Sequence, residues 1–216
     1  MAPGRDCGLC PRLADFRQAN RRAFPDWHNA PVPSFGSLDA RLLVVGLAPG
    51  LKGANRTGRP FTGDYAGDLL YATLLEFGLA EGTYGAAADD GLALKDCRIT
   101  NAVRCVPPEN KPTGPEETAC RSFLASELAA MPNLKVLVAL GSLAHNAVLA
   151  ALGEKKSTRR FAHAAHHTLN GGLALFDSYH CSRYNTNTRR LTPAMFRDVF
   201  HAVAAGLNRS SGPNGQ

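Results

Sequence analysis

Arg41-Leu42-Leu43-Val44-Val45-Gly46-Leu47-Ala48-Pro49-Gly50 is the stretch that decides the fold. Its first half is a run of branched apolar residues that is short for a helix and stops at glycine. That pattern belongs to a strand buried on both faces, and such strands occur in parallel sheets covered by helices. Downstream, residues 65–78 place Leu69, Leu70, Thr73, Leu74 and Phe77 on one helical face. Residues 97–103 read as a second strand. Thr113-Gly114-Pro115-Glu116 has capping-box spacing and opens a helix with Cys120, Phe123, Leu124 and Leu128 along one stripe. A third strand follows at 135–140, a helix at 142–152 and a fourth strand at 173–179. Thr192-Pro193 starts a last helix that turns Phe196, Val199, Phe200, Val203 and Leu207 inward.

Strands alternating with helices predict one α/β domain, a three-layer αβα arrangement with a mainly parallel central sheet of four strands. The expected domain spans residues 1–207, with 208–216 as a flexible tail. Residues 82–92 read as a surface loop and 153–172 as a mixed connection.

Composition narrows the function classes. A hydrophobic fraction of 44% supports a packed core and argues against disorder. No apolar run approaches the roughly 18 residues that cross a bilayer, and the Arg-rich N-terminus is unlike a secretory signal. A cytoplasmic protein with no membrane partner, and a monomer, is expected. The net charge is +6, with 18 Arg against 6 Lys. Arginine forks suit phosphates, so nucleic acid is a natural partner, although a coding bias would give the same excess.

In a parallel α/β sheet the ligand site lies beyond the carboxyl ends of the strands. Those ends deliver Gly46–Gly50, then Asn101 with Pro107-Pro108-Glu109-Asn110-Lys111-Pro112 close behind, then His180-Cys181-Ser182-Arg183-Tyr184-Asn185. The glycine turn could admit a ligand to the backbone or could be a plain strand-to-helix turn. Cys7 and Cys10 form a Cys-x2-Cys pair, and Cys105 and Cys120 a second pair. In a reducing compartment four such thiolates suit a zinc ion or an iron–sulfur cluster better than disulfides. Cys97 and Cys181 read as buried thiols. His163, His166 and His167 read as polar surface residues.

Several ordered motifs resemble family 5 (type B) uracil-DNA glycosylases. Gly46-Leu47-Ala48-Pro49-Gly50 followed by Asn55-Arg56-Thr57-Gly58-Arg59-Pro60-Phe61-Thr62-Gly63-Asp64 is similar to the family's first motif. Thr100 to Cys105 with Pro107 to Pro112 is similar to its central segment, and His180 to Thr188 to its last motif. The likeness runs from Cys7 to about residue 205. Gly50 departs from the family's usual alanine, and His-Cys-Ser from the commoner His-Pro-Ser. Leu47 stands where the related family 4 carries glutamate.

The resemblance implies a DNA repair enzyme that flips uracil, or another deaminated base as well, out of DNA and hydrolyses the N-glycosidic bond to leave an abasic site. It implies a [4Fe–4S] cluster on Cys7, Cys10, Cys105 and Cys120. It implies catalytic roles for Asp64 near the sugar, for Asn110 on water or sugar, and for His180 as donor to uracil O2. Asp64 would equally serve as the N-cap of the helix that follows. Gly46, Ala48, Phe61 and Asn101 would bind the base, Phe61 by stacking and Asn101 through its two-way amide. Asn55, Arg56, Ser182, Arg183, Tyr184 and Asn185, with Arg59, would contact DNA, against the alternative of a solvated basic loop. The competing reading from another class is a nonenzymatic iron–sulfur DNA-binding or electron-transfer module. It gives Asp64, Asn110 and His180 no common purpose.

Overall fold

The computed structural model describes residues 2–209; residues 210–216, most of the expected tail, lie outside the described residues. In chain order the elements are α1 (Pro11–Ala23), β1 (Leu42–Gly46), α2 (Ala54–Thr57), α3 (Tyr65–Glu76), β2 (Ala80–Glu81), β3 (Ala93–Leu94) and β4 (Cys97–Asn101). They continue as α4 (Gly114–Ala129), β5 (Val136–Leu140), α5 (Ser142–Ala151), β6 (His166–Thr168), β7 (Ala174–Ser178), α6 (Arg183–Asn187) and α7 (Pro193–Arg209). Residues 208 and 209, placed in the tail by the sequence, continue the last helix.

The main sheet has the order β4-β1-β5-β7-β6. Its first four strands are parallel, as expected. The count of four is corrected to five, because β6 adds antiparallel to β7 at the edge. This strand lay unseen in the 153–172 connection: three polar residues, His166-His167-Thr168, carry no apolar period to read. Along β1 the side chains alternate between two cores. Leu42 and Val44 pack with Leu70, Leu74, Phe196 and Phe200 of α3 and α7. Leu43 and Val45 pack with Leu124, Leu128, Val148 and Leu149 of α4 and α5 on the opposite face. The three-layer arrangement follows from that alternation. No described helix is long and apolar enough to cross a membrane.

Helix α1 was not legible in the sequence. Its buried stripe is Leu13, Arg17 and Asn20, two of them polar. It is tied across the chain to α4: Arg12 donates through Nε to Glu116 Oε1 and through a terminal nitrogen to Glu116 Oε2, both at 2.8 Å. The capping box at Thr113 and Glu116 is formed as expected. Glu116 thus caps one helix and holds another.

Candidate active site

The three motif loops meet at the carboxyl end of the sheet around a cleft of about 740 Å³. Leu47 to Ala54 form one wall, and Phe61, Asp64, Asn101, Asn110, His180, Ser182 and Arg183 complete it. The volume falls within the range of small-molecule sites. Gly46 does not line the cleft, yet the site depends on it. A Cβ there would sit 2.5 Å from both Asn101 Oδ1 and Phe61 Cζ. Only glycine lets β1 pass so close beneath these two side chains.

Asp64 is the N-cap of α3, its Oδ1 accepting from the Gly67 N–H at 3.2 Å. The cap is therefore formed. Its other oxygen faces the first motif: a Cβ on Gly53 would come within 2.4 Å of Oδ2, and one on Gly50 within 3.0 Å. Burial lifts the Asp64 carboxyl above the ordinary carboxylate range, against the pull of the Gly67 and Ala66 amides. Leu47, noted in the sequence for replacing a glutamate, lines this side, and so do Lys52, Gly53 and Tyr65, which were not singled out there. Tyr65 could have been found as the neighbour of Asp64, but only three dimensions bring Gly53 against its carboxylate.

His180, two residues past the end of β7, lies across the cleft with its ring 5.9 Å from that of Phe61. Desolvation pushes it down to about 4, so the imidazole is neutral at physiological pH. Phe61 holds a positive φ of 52°, and Asn110 one of 56° next to Glu109 at 54°. Left-handed backbone is uncommon outside glycine and asparagine, so the surrounding structure must hold Phe61 and Glu109 in place. Asn101 is 3% exposed, and its Oδ1 is buried without a hydrogen-bond partner. Buried amide oxygens rarely stay unpaired, and this one is an acceptor that the described residues leave unfilled.

The expected DNA contacts divide. Ser182 and Arg183 line the cleft, the Arg183 guanidinium 5.4 Å from the centre of the Tyr65 ring, and Tyr184 next in the chain is exposed. Arg56 is exposed and donates to the Lys52 carbonyl. Three others are engaged with the chain itself, two of them buried. Asn55 is buried, its amide donating to Asn29 Oδ1 at 2.9 Å, so it braces the loop from below. The Asn185 amide donates to the His180 carbonyl at 2.8 Å and closes the turn that carries His180. Arg59 is buried against Asp90 in a two-pronged ion pair of 2.8 and 2.6 Å, under the rings of Phe35, Tyr71 and Tyr84.

Cys7, Cys10, Cys105 and Cys120 line one small pocket with Arg17. Arg17 is 2% exposed. It donates to Cys105 Sγ at 3.5 Å and to the Cys7 carbonyl at 2.8 Å, while its Nε is buried without a partner. No described carboxylate pairs with it. A buried guanidinium needs negative charge nearby, and an anionic metal–thiolate centre on the four sulfurs supplies it. The residues present therefore fit such a group. Cys97 and Cys181 are buried elsewhere, as expected.

The sequence pattern of the uracil DNA glycosylase superfamily matches residues 33–204. The type-5 uracil-DNA glycosylase of Thermus thermophilus is 49% identical over 199 residues, covering 89% of this chain and 90% of that protein. That of Mycobacterium leprae is 45% identical, covering 90% and 88%. That of Pyrobaculum aerophilum is 42% identical, covering 93% and 88%. Extended identity at this level, together with the three motif loops gathered at one cleft, shows that the chain belongs to the uracil-DNA glycosylase superfamily, among its type-5 members.

Proposed function

We propose that this chain excises uracil from DNA by hydrolysis, with Asp64 and His180 at opposite ends of the breaking bond. The observation that carries the reading is the convergence of Asp64, Asn101, Asn110 and His180 on one cleft, with the Asn101 oxygen left unpaired. The flipped uracil stacks on Phe61. Its N3–H donates to Asn101 Oδ1, an acceptor that otherwise has none. Water adds its oxygen to C1′ as the C1′–N1 bond breaks, and the electron pair leaves with uracil as an anion shared between N1 and O2. Neutral His180 donates a hydrogen bond to that developing charge. Ionised Asp64 stabilises the cationic sugar and accepts the water's proton, a task its raised pKa favours. Asn110 positions the water. The products are free uracil and an abasic site.

Arg56, Ser182, Arg183 and Tyr184 hold the DNA at the mouth, Tyr184 beside the vacated stack. Cys7, Cys10, Cys105 and Cys120 hold a [4Fe–4S] cluster that supplies no electron to the hydrolysis. It fixes α1 to the loop that carries Asn110. A reducing cytoplasm keeps the four thiols available to iron. Iron and sulfide near four each per chain are expected, and stoichiometric zinc without sulfide would contradict the cluster. A labelled oligonucleotide with one uracil tests the function: free uracil and an alkali-labile site are expected, without strand cleavage by the protein. Tight DNA binding with no base released would leave a nonenzymatic binding module. Release of hypoxanthine in preference to uracil would move the substrate to another deaminated base.

A further inference from the structure

Of the three histidines read as surface residues, His166 is exposed, while His163 and His167 are half-buried. His166 stacks on Phe176, and His163 Nδ1 accepts from the Tyr179 N–H. His167 meets Asp177 of β7, which in turn meets His145 of α5. We propose that His145, His167 and Asp177 form a binding site for a divalent ion of the zinc type, separate from both the cleft and the thiols.

The ligand atoms of the three all lie within 4.8 Å of one another. His145 Nδ1 is 2.8 Å from Asp177 Oδ1, and His167 Nε2 is 3.2 Å from Oδ2. A tetrahedral zinc with bonds of about 2.0–2.1 Å sets its ligands about 3.3 Å apart, so the two histidine–aspartate separations lie near that value while the widest of the three, up to 4.8 Å, must close as the ion binds. Two imidazoles and one carboxylate are a donor set that suits zinc and disfavours calcium or magnesium. The other nitrogen of His145 is 2.9 Å from the Arg159 carbonyl. A ring N–H donated to a backbone carbonyl is the usual outer support of a metal-bound histidine.

His145 and Asp177 are 1% and 0% exposed at their side chains, and His167 is 14% exposed, so the ion enters and takes its water ligand on the His167 side. Without an ion, the two nitrogens of His145 face the Asp177 carboxylate and the Arg159 carbonyl, contacts that favour the protonated ring. The ion takes the place of the Nδ1 proton, which leaves to solvent, and His167 keeps its proton on Nδ1 while Nε2 binds. The three ligands come from α5, β6 and β7. The ion would pin the polar edge strand, which has little apolar burial of its own, to the strand that delivers His180.

The test loads the isolated protein with one equivalent of zinc, removes the excess by gel filtration and measures zinc and iron together. About one zinc per chain with unchanged iron is expected, together with a raised melting temperature. His167→Ala, at the most exposed ligand, and Asp177→Asn, which keeps the side-chain shape, are expected to weaken zinc binding at least tenfold while retaining their iron. The site is refuted if the parent retains no zinc, if zinc enters only as iron leaves, or if both variants bind zinc as the parent does.

Discussion

Thr100 and Asn101 are neighbours on β4 and face different worlds. Thr100 donates to Glu127 Oε2 at 2.8 Å and joins Ser34, Arg98 and Arg104 in a buried network. Both Glu127 oxygens are engaged: Arg98 bonds one at 2.6 Å, and Arg104 and Thr100 share the other. Burial works against ionisation of Glu127, but Arg104, Ser34 and Arg98 together hold its carboxyl below the ordinary range. One residue later, Asn101 Oδ1 is buried with nothing to bond, and His180 across the cleft makes no side-chain hydrogen bond to a described residue. The difference separates two uses of buried polarity. Where the acceptors are filled by the chain itself, the group serves the fold. Where they are empty, the group waits for a ligand.

The largest effect expected on this view lies in the filled cluster. Glu127→Ala removes the shared anion and leaves Arg98 and Arg104 buried without it, a loss of about 3–5 kcal/mol in stability. Denaturant unfolding measures it. At temperatures where the variant is folded, its single-turnover excision should stay near the parent's. A large rate loss in folded protein would erase the distinction between the two clusters.

His180→Ala inverts the pattern. Its melting temperature should hardly move, while single-turnover excision falls about 10²–10³-fold, the typical worth of one donor to developing negative charge. His180 lies near 4, so it stays neutral through the working range and sets no acid limb above that value. A parent acid limb that belonged to His180 would instead vanish in this variant.

The smallest effect is at the mouth. Arg183→Ala should weaken DNA binding without changing the excision rate at saturation, and should lower the salt slope by about one unit if the guanidinium meets a phosphate. An unchanged slope would leave Arg183 as a partner of Tyr65 alone.

The parallel sheet and its two covering layers were legible because β1 and β5 are buried along their whole length and leave an unbroken apolar run. Helix α1 and strand β6 were not, since neither carries an apolar period: α1 is held by polar contacts to distant α4, and β6 by pairing with the strand that follows it. In the site, Asp64, Asn101, Asn110, His180 and Phe61 were legible as chemistry at strand ends and motif loops. The fates of Asn55 and Arg59 were not, because their partners Asn29 and Asp90 stand 26 and 31 residues away. A basic loop reads alike whether its arginine meets phosphate or a buried aspartate.

Asp64 belongs to both classes at once, with Oδ1 filled by the Gly67 amide and Oδ2 turned toward the cleft. Asp64→Asn tests the division most directly, because an amide oxygen can keep the cap while the negative charge is lost. The measurement is single-turnover uracil excision across pH, with melting temperature, iron content and abasic-DNA binding recorded on the same protein. The parent rate should fall with acid as Asp64 takes up its proton, at a pH above the ordinary carboxylate range. The variant should fold, keep its iron and bind abasic DNA, yet excise uracil at least about 10²-fold more slowly and without that acid limb. An intact variant that excises at the parent rate would make Asp64 a helix cap alone and contradict the assignment of the sugar side.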